Sequence, residues 1–354
     1  MFEKNGAIDI IKVIKEEYNY DFTTYEDLCK QDFIELEGNG VDALFWLKYK
    51  GDKYLFKPVN NAIYNVWGEI LSQRVAEDLG FNCAEYRIAT FKDQIGVLSK
   101  SFLKGDEKLI MGSELIQEYL RHVYDVDIKH RIDNLLKNSF LNHYDKMKLI
   151  LKNMNNYTDV KKIIDVNKKL TEEEKEEITK STKDRLFFDI LTMQGDDHTN
   201  NWGIVKTKNG YKNAPLYDNA TSFGLNHPRV EYLISDFKEE YINYRFHQDI
   251  ERLRHYTNPN LLFTYYERKE NISSLSVLQE FLDSLNDEEK EKYYNIVSRY
   301  SIDYLDDLIM DIEEKNGYSM DNELRIYILD LFEVNIKNIQ EIFRKKVVQN
   351  ERTR

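Results

Sequence analysis

Aromatic-rich apolar runs mark the first hundred residues, and a helical rhythm takes over after them. Ala43-Leu44-Phe45-Trp46-Leu47-Lys48-Tyr49 and Lys53-Tyr54-Leu55-Phe56-Lys57 flank Lys50-Gly51-Asp52, which predicts a β-hairpin ending at Lys57-Pro58. From Asn65 to Leu79, the residues Trp67, Leu71, Val75 and Leu79 recur every four positions. This is the apolar stripe of a helix, which Gly80 can end in a left-handed conformation. A second hairpin is expected from Tyr86–Phe91 and Ile95–Phe102 around Lys92-Asp93-Gln94. Residues 1–103 therefore read as a small twisted sheet with one helix.

Beyond about residue 104 the chain is rich in Leu, Ile, Lys and Glu, and a mostly helical second lobe over 104–354 is predicted. Thr171 and Glu174 have the spacing of a capping box. A helix from about Thr182 to Met193 would bury Leu186, Phe187, Ile190 and Leu191 and deliver the chain to Gly195. Two short strands, Trp202–Lys206 and Tyr211–Tyr217, are expected to join at Asn209-Gly210. Helices return over 227–354, the last marked by Leu324, Ile328, Leu331, Phe332, Ile339 and Phe343. The expected fold class is α+β with two lobes.

Composition narrows the function classes. The chain of 354 residues is 42% hydrophobic and 32% charged, which suits a packed globular protein rather than a disordered or fibrous one. A net charge of −13 disfavours broad nucleic-acid binding. The short basic stretch Lys345, Lys346, Arg352 and Arg354 reads as a solvated helix end. Cys29 and Cys83 have no disulfide-framework or zinc spacing, which points to a reducing cytoplasm. Met1-Phe2-Glu3-Lys4-Asn5 is charged at once, and no apolar run approaches the roughly 18 residues of a membrane span, so neither export nor a membrane partner is expected.

The candidate chemistry lies in two acidic clusters. Residues 195–201 read Gly-Asp-Asp-His-Thr-Asn-Asn, and Asp218 follows in Pro215-Leu216-Tyr217-Asp218-Asn219. The hairpin at Asn209-Gly210 would bring Asp218 back towards Asp196. Phosphoryl transfer needs a carboxylate beside the attacking hydroxyl, with an oxygen ligand and a second carboxylate to hold Mg²⁺ against the phosphates of ATP. Asp196 fits the base and His198 could support it. Asn201 and Asp218 fit the metal, Asn201 offering a neutral oxygen that adds no repulsion between carboxylates. The bland alternative is that Asp, Asn, Thr and Gly favour loops anyway.

In the first lobe, Lys57 at a strand end could reach nucleotide phosphates. The turn Gly38-Asn39-Gly40 could face them with backbone N–H groups, although it serves equally as an ordinary turn. Glu69 lies off the Trp67, Leu71, Val75 stripe, so an exposed side chain is expected, with pairing to Lys57 as the alternative. Lys100, Ser101 and Phe102 close the last strand and could frame an adenine, Phe102 serving as an apolar wall or as plain core. A hydrolase using Asp196, Asp197, His198 and Asp218 on two metals, and a catalytically silent binding protein, stay open as rivals.

These residues resemble a known family. Tyr54–Lys57, the Glu69–Gly80 helix, Asp196-x-His198-x-x-Asn201 and Pro215-Leu216-Tyr217-Asp218 look like the HipA-like serine/threonine kinases, over about residues 38–225. The Asp-x-His-x-x-Asn core is also similar to phosphatidylinositol kinases, which share a two-lobed kinase fold. The resemblance implies that Asp196 is the catalytic base, that Asn201 and Asp218 bind Mg²⁺, and that Lys57 contacts ATP. It further implies transfer to a protein Ser or Thr. Family members act as toxins of toxin–antitoxin pairs, some phosphorylating aminoacyl-tRNA synthetases and some restrained by a DNA-binding antitoxin. Three features depart from the family's pattern. About 37 residues precede Gly38 where toxins often carry a small extra domain, Glu37–Lys48 contains no Ser or Thr for autophosphorylation, and Asn200 replaces a common lysine.

Overall fold

A computed structural model describes residues 6–18, 34–36, 44–59, 64–91, 94–123, 161, 163–165, 167–194, 199–225 and 274–353. The first sheet has six strands in the order β1-β5-β6-β4-β3-β2. They are β1 (Ile8–Asp9), β2 (Ile34–Leu36), β3 (Phe45–Tyr49), β4 (Asp52–Pro58), β5 (Tyr86–Phe91) and β6 (Gln94–Lys100). All pair antiparallel except β1, which runs parallel to β5. The β3–β4 hairpin forms as expected. Lys50 and Gly51 both take positive φ, 49° and 82°, the tight turn whose twist suits adjoining strands.

One face of this sheet is an aromatic core. Phe45 lies 5.1 Å from Phe56 and 4.8 Å from Phe91 between ring centres, and Leu47 and Leu98 pack beside them. This face is covered by helix α1 (Ile10–Tyr18) through Ile10 and Ile14. The sequence predicts neither β1 nor α1, because the strand has two residues and its partner in β5 is 81 positions away (89 − 8). The other face carries Tyr86, Ile88 and Val97 and packs on α2 (Tyr64–Leu79), which Gly80 ends at φ 71°.

The α2 helix is buried well beyond its predicted stripe. Val66, Trp67, Gly68, Glu69, Ile70, Leu71 and Ser72 are all inaccessible, because the helix is wedged between the first sheet and the rest of the chain. Its residues belong to the same continuous core as those of the C-terminal helices.

The second sheet has three strands, β7 (Lys108–Met111), β8 (Gly203–Thr207) and β9 (Gly210–Asn213), in the order β7-β8-β9. The β8–β9 hairpin sits where Asn209-Gly210 predicted it. The strand β7 adds a third strand to the two expected in the mostly helical part beyond residue 104. Its four residues run directly into α3 (Gly112–Val123), and their partner β8 is almost a hundred residues later, so no local pattern marks them.

Helix α4 (Glu172–Leu191) starts ten residues before the predicted position, at the Thr171 and Glu174 capping box, which forms in full. Helices α5 (Ser274–Asp283), α6 (Asp287–Arg299), α7 (Ile302–Asn316) and α8 (Asn322–Thr353) complete the second lobe. Among the described residues no helix is long and apolar enough to cross a membrane.

Polar clasps reinforce the shared core between lobes. Tyr300 and Tyr304 donate to the two carboxylate oxygens of Asp78 at 2.9 and 2.6 Å, and Arg74 pairs with Asp311 at 2.7 Å. Arg87 reaches the Asn316 side chain at 3.1 Å and the carbonyls of Gly6 at 2.9 Å and Lys315 at 3.3 Å.

The closest approach is at Gly68, where a Cβ would stand 2.1 Å from the backbone oxygen of Ala220. Gly→Ala ordinarily stabilises a helix interior by about 1 kcal/mol. Here we expect Gly68→Ala to invert that sign and cost about 3 kcal/mol by overpacking against rigid backbone. Urea unfolding measures it, and a neutral or stabilised variant would show that α2 does not press on the Ala220 segment.

Candidate active site

The strand alternation of β4 sends Tyr54 and Phe56 into the aromatic core and turns Lys57 towards α2. The Lys57 ammonium lies between two carboxylates, 3.2 Å from Glu69 Oε1 and 2.6 Å from Asp218 Oδ1. Glu69 is only 2% exposed at its side chain, whereas Lys57 is 28% and Asp218 44% exposed. The expectation of a solvent-facing Glu69 is thus corrected. The residue is off the stripe, but the face it occupies is covered too, and the alternative of pairing with Lys57 is the one observed.

Glu69 is held at both oxygens, since Oε2 accepts the Asn219 N–H at 2.8 Å. Burial raises the Glu69 pKa, while the Lys57 charge and these hydrogen bonds pull it down without cancelling the rise. For Lys57, burial acts to lower the pKa, but Glu69 and then Asp218 overcome it and hold the ammonium above the usual lysine range. The cluster is therefore a cation fixed by one buried and one accessible carboxylate.

Asp218 sits in a loop bound to the first lobe by its backbone. Ala84 N–H donates to Leu216 C=O and Leu216 N–H to Asn82 C=O, each at 2.8 Å, flanking a parallel bridge between Cys83 and Leu216. Asp218 itself takes the left-handed conformation, φ 61°. Its N–H donates to the Tyr86 hydroxyl at 3.0 Å, and its C=O accepts from Gln194 Nε2 at 3.3 Å. Neither Tyr86 nor Gln194 is among the site residues the sequence predicts. A buried glutamine before a glycine and a tyrosine opening a strand carry no motif, so no local signal could have found them.

The segment carrying Asn201 comes to the same place. Tyr217, one residue before Asp218, donates its hydroxyl to the Asn200 C=O at 2.7 Å, and Asn201 is buried beside it in sequence. Ser113 N–H and Gly112 N–H hold the Thr199 and Trp202 carbonyls at 2.9 and 2.8 Å. Phe102, in the connection between the two sheets, packs its ring 5.7 Å from that of Tyr217.

Lys100 is not brought to this cluster. It pairs with Tyr54 across the sheet, on the face opposite Lys57, and its ammonium meets Asp52 at 2.9 Å. Gly38, Asn39, Gly40, Asp196, Asp197 and His198 lie outside the described residues. Among those described, no group of three or more His, Cys, Asp or Glu could hold a metal unaided.

The donor set nonetheless suits Mg²⁺ and a nucleotide triphosphate. Only Oδ1 of Asp218 is engaged by Lys57, and the side chain is accessible, leaving a hard oxygen for a hard cation. Asn201 would supply a neutral oxygen, and Lys57 a cation for phosphate.

A strand lysine paired to a helix glutamate, facing an acidic loop across two lobes, defines a kinase-like fold. The family described as HipA-like C-terminal domain matches residues 35–258, and the chain belongs to that HipA-like kinase family. The crystal structure of the proinflammatory kinase CtkA of Helicobacter pylori is similar at 16% identity and a TM-score of 0.61, covering 90% of this chain and 97% of CtkA. HipA of Shewanella oneidensis MR-1, solved in complex with HipB and operator DNA, gives 13% identity and a TM-score of 0.49, covering 96% of this chain and 72% of HipA. No curated protein matches the sequence.

Removing the cation should expose the cost of burying Glu69. We expect Lys57→Met to lose about 3 kcal/mol at pH 8, because one partner of a largely buried pair is left uncompensated. The Glu69 pKa is already raised above its unfolded value, and losing Lys57 raises it further. Protonation of the folded state then stabilises, an effect complete below the unfolded pKa and lost as pH rises through the folded one. The deficit should therefore shrink towards pH 5. Equal deficits at pH 5 and pH 8 in thermal melts would show that Glu69 is not what the lysine neutralises.

Proposed function

We propose that the protein is a phosphotransferase that moves the γ-phosphate of ATP to a Ser or Thr hydroxyl of a protein, with Mg²⁺. The observation that carries this reading is the Lys57 ammonium held between Glu69 and Asp218. Lys57 would bind the nucleotide phosphates, with Glu69 holding the ammonium against diffusion into solvent. Asp218 and Asn201 would hold the metal ion, and Phe102 would supply an apolar wall towards the base. Asp196, with His198 behind it, would accept the proton of the attacking hydroxyl. The Gly38-Asn39-Gly40 turn would offer backbone N–H groups to phosphate. When bound, Mg²⁺ neutralises charge that builds on the phosphate oxygens.

The family supports a toxin of a toxin–antitoxin pair, working in the cytoplasm on a protein substrate such as an aminoacyl-tRNA synthetase or another translation factor, with an antitoxin as partner. The hydrolase alternative leaves Lys57 without a task, whereas Lys57 bonds directly to Asp218. In the proposed role Asn200 contributes no charge towards phosphate, and its carbonyl instead anchors Tyr217.

Purified protein with radiolabelled ATP and Mg²⁺ is expected to label itself, a model protein or a lysate component. Asp218→Asn should abolish labelling, and Asp196→Asn should reduce it by roughly 10²- to 10⁴-fold, the usual contribution of a positioned base, while still binding ATP. No transfer by the unaltered chain with either Mg²⁺ or Mn²⁺, or full activity in Asp196→Asn, would overturn the assignment.

A further inference from the structure

We propose that Tyr86 and Gln194 are positioning residues that aim the Asp218 carboxylate, one acting from each lobe. The inference rests on the phosphoryl-transfer reading above. Asp218 has φ 61°, a conformation that residues with side chains seldom adopt and that surrounding bonds must hold. The peptide groups on its two sides are gripped separately. The preceding one donates its N–H to the Tyr86 hydroxyl at 3.0 Å, and the following one accepts at its carbonyl from Gln194 Nε2 at 3.3 Å. Rotation of either peptide towards an ordinary backbone conformation breaks one of these bonds and swings the carboxylate off Lys57.

Both grips are rigid. Tyr86 is 3% exposed, and its own N–H donates to the Gln73 side chain at 2.6 Å where β5 begins. Gln194 is 1% exposed and donates its N–H to Asp189 C=O at 2.8 Å as the chain leaves α4. The Gln194 amide also donates to Asn219 Oδ1 at 3.4 Å and accepts from the Thr221 hydroxyl, so it spans three of the four residues 218–221. The consequence is specific: the direction of the metal-binding carboxylate depends on both lobes at once, and neither residue need touch metal or nucleotide.

The test is metal affinity in the intact chain, with Tyr86→Phe removing only a hydroxyl and Gln194→Met keeping length while removing the side-chain amide's hydrogen bonds. Retention of Mn²⁺ is read from the free-ion paramagnetic resonance signal in the presence of a non-hydrolysable ATP analogue, alongside analogue binding in EDTA. Each variant is expected to hold Mn²⁺ about ten-fold more weakly, as orienting partners of metal ligands typically do. Metal-free nucleotide binding should stay within about two-fold, and the Mg²⁺ needed for half-maximal transfer should rise in step with the loss of Mn²⁺ affinity. Residues that merely fill the core would lower the melting temperature and leave Mn²⁺ affinity within about two-fold, which overturns the inference. If one variant does not fold, the other decides. A parent chain that binds no Mn²⁺ with the analogue sinks the phosphoryl-transfer reading and this inference together, whereas a parent that binds it and unchanged variants sink this inference alone.

Discussion

Everything around the site depends on one ammonium being shared by two carboxylates that differ in burial. Glu69 alone would be a charge in a nearly dry environment, and Asp218 alone a solvated loop residue. The Lys57 cation makes the first tolerable and fixes the second in space. Because those three residues come from β4, α2 and the loop after β9, the pairing also sets how the two lobes face each other. An exposed ion pair would not have this effect, since such pairs contribute little. The difference here is that Glu69 has nowhere else to put its charge.

The packing explains why the arrangement is stable rather than poised. Helix α2 shares one core with the C-terminal helices, and Gly68 lies directly on the Ala220 backbone. Asp78 is held by two tyrosines of the second lobe, and the loop containing Leu216 is bonded to residues 82–84. The helix that carries Glu69 therefore belongs as much to the second lobe as to the first. Swinging the two lobes apart as independent bodies would tear this core.

Much of this was legible in the chain where the signal is local. The tight turn at Lys50-Gly51, the Gly80 helix stop, the capping box at Thr171 and the hairpin at Asn209-Gly210 each depend on a few adjacent residues, and all four are present. The strands β1 and β7 are short and find their partners far along the sequence, so periodicity has nothing to register. The same holds within the site. Lys57 and Asp218 are picked out by local elements, a strand end and the return of the hairpin at Asn209-Gly210, whereas the burial of Glu69 depends on what covers α2, which no helical projection contains. Lys100 shows how alternation separates neighbours: it lies in the strand beside Lys57, but on the other face of the sheet.

The bonds around Gly6 have a consequence for biosynthesis. Gly6 N–H donates to Lys315 C=O at 3.0 Å, and Arg87 reaches both Gly6 and Lys315, so the edge of the first sheet at β1 is tied to the end of α7. A ribosome that has made the first hundred residues has made a sheet still lacking part of its support. These bonds await residues more than three hundred positions downstream, a contact of high sequence separation that is slow to form. A nascent polypeptide therefore carries this part of the first sheet untied until the end of α7 has been made.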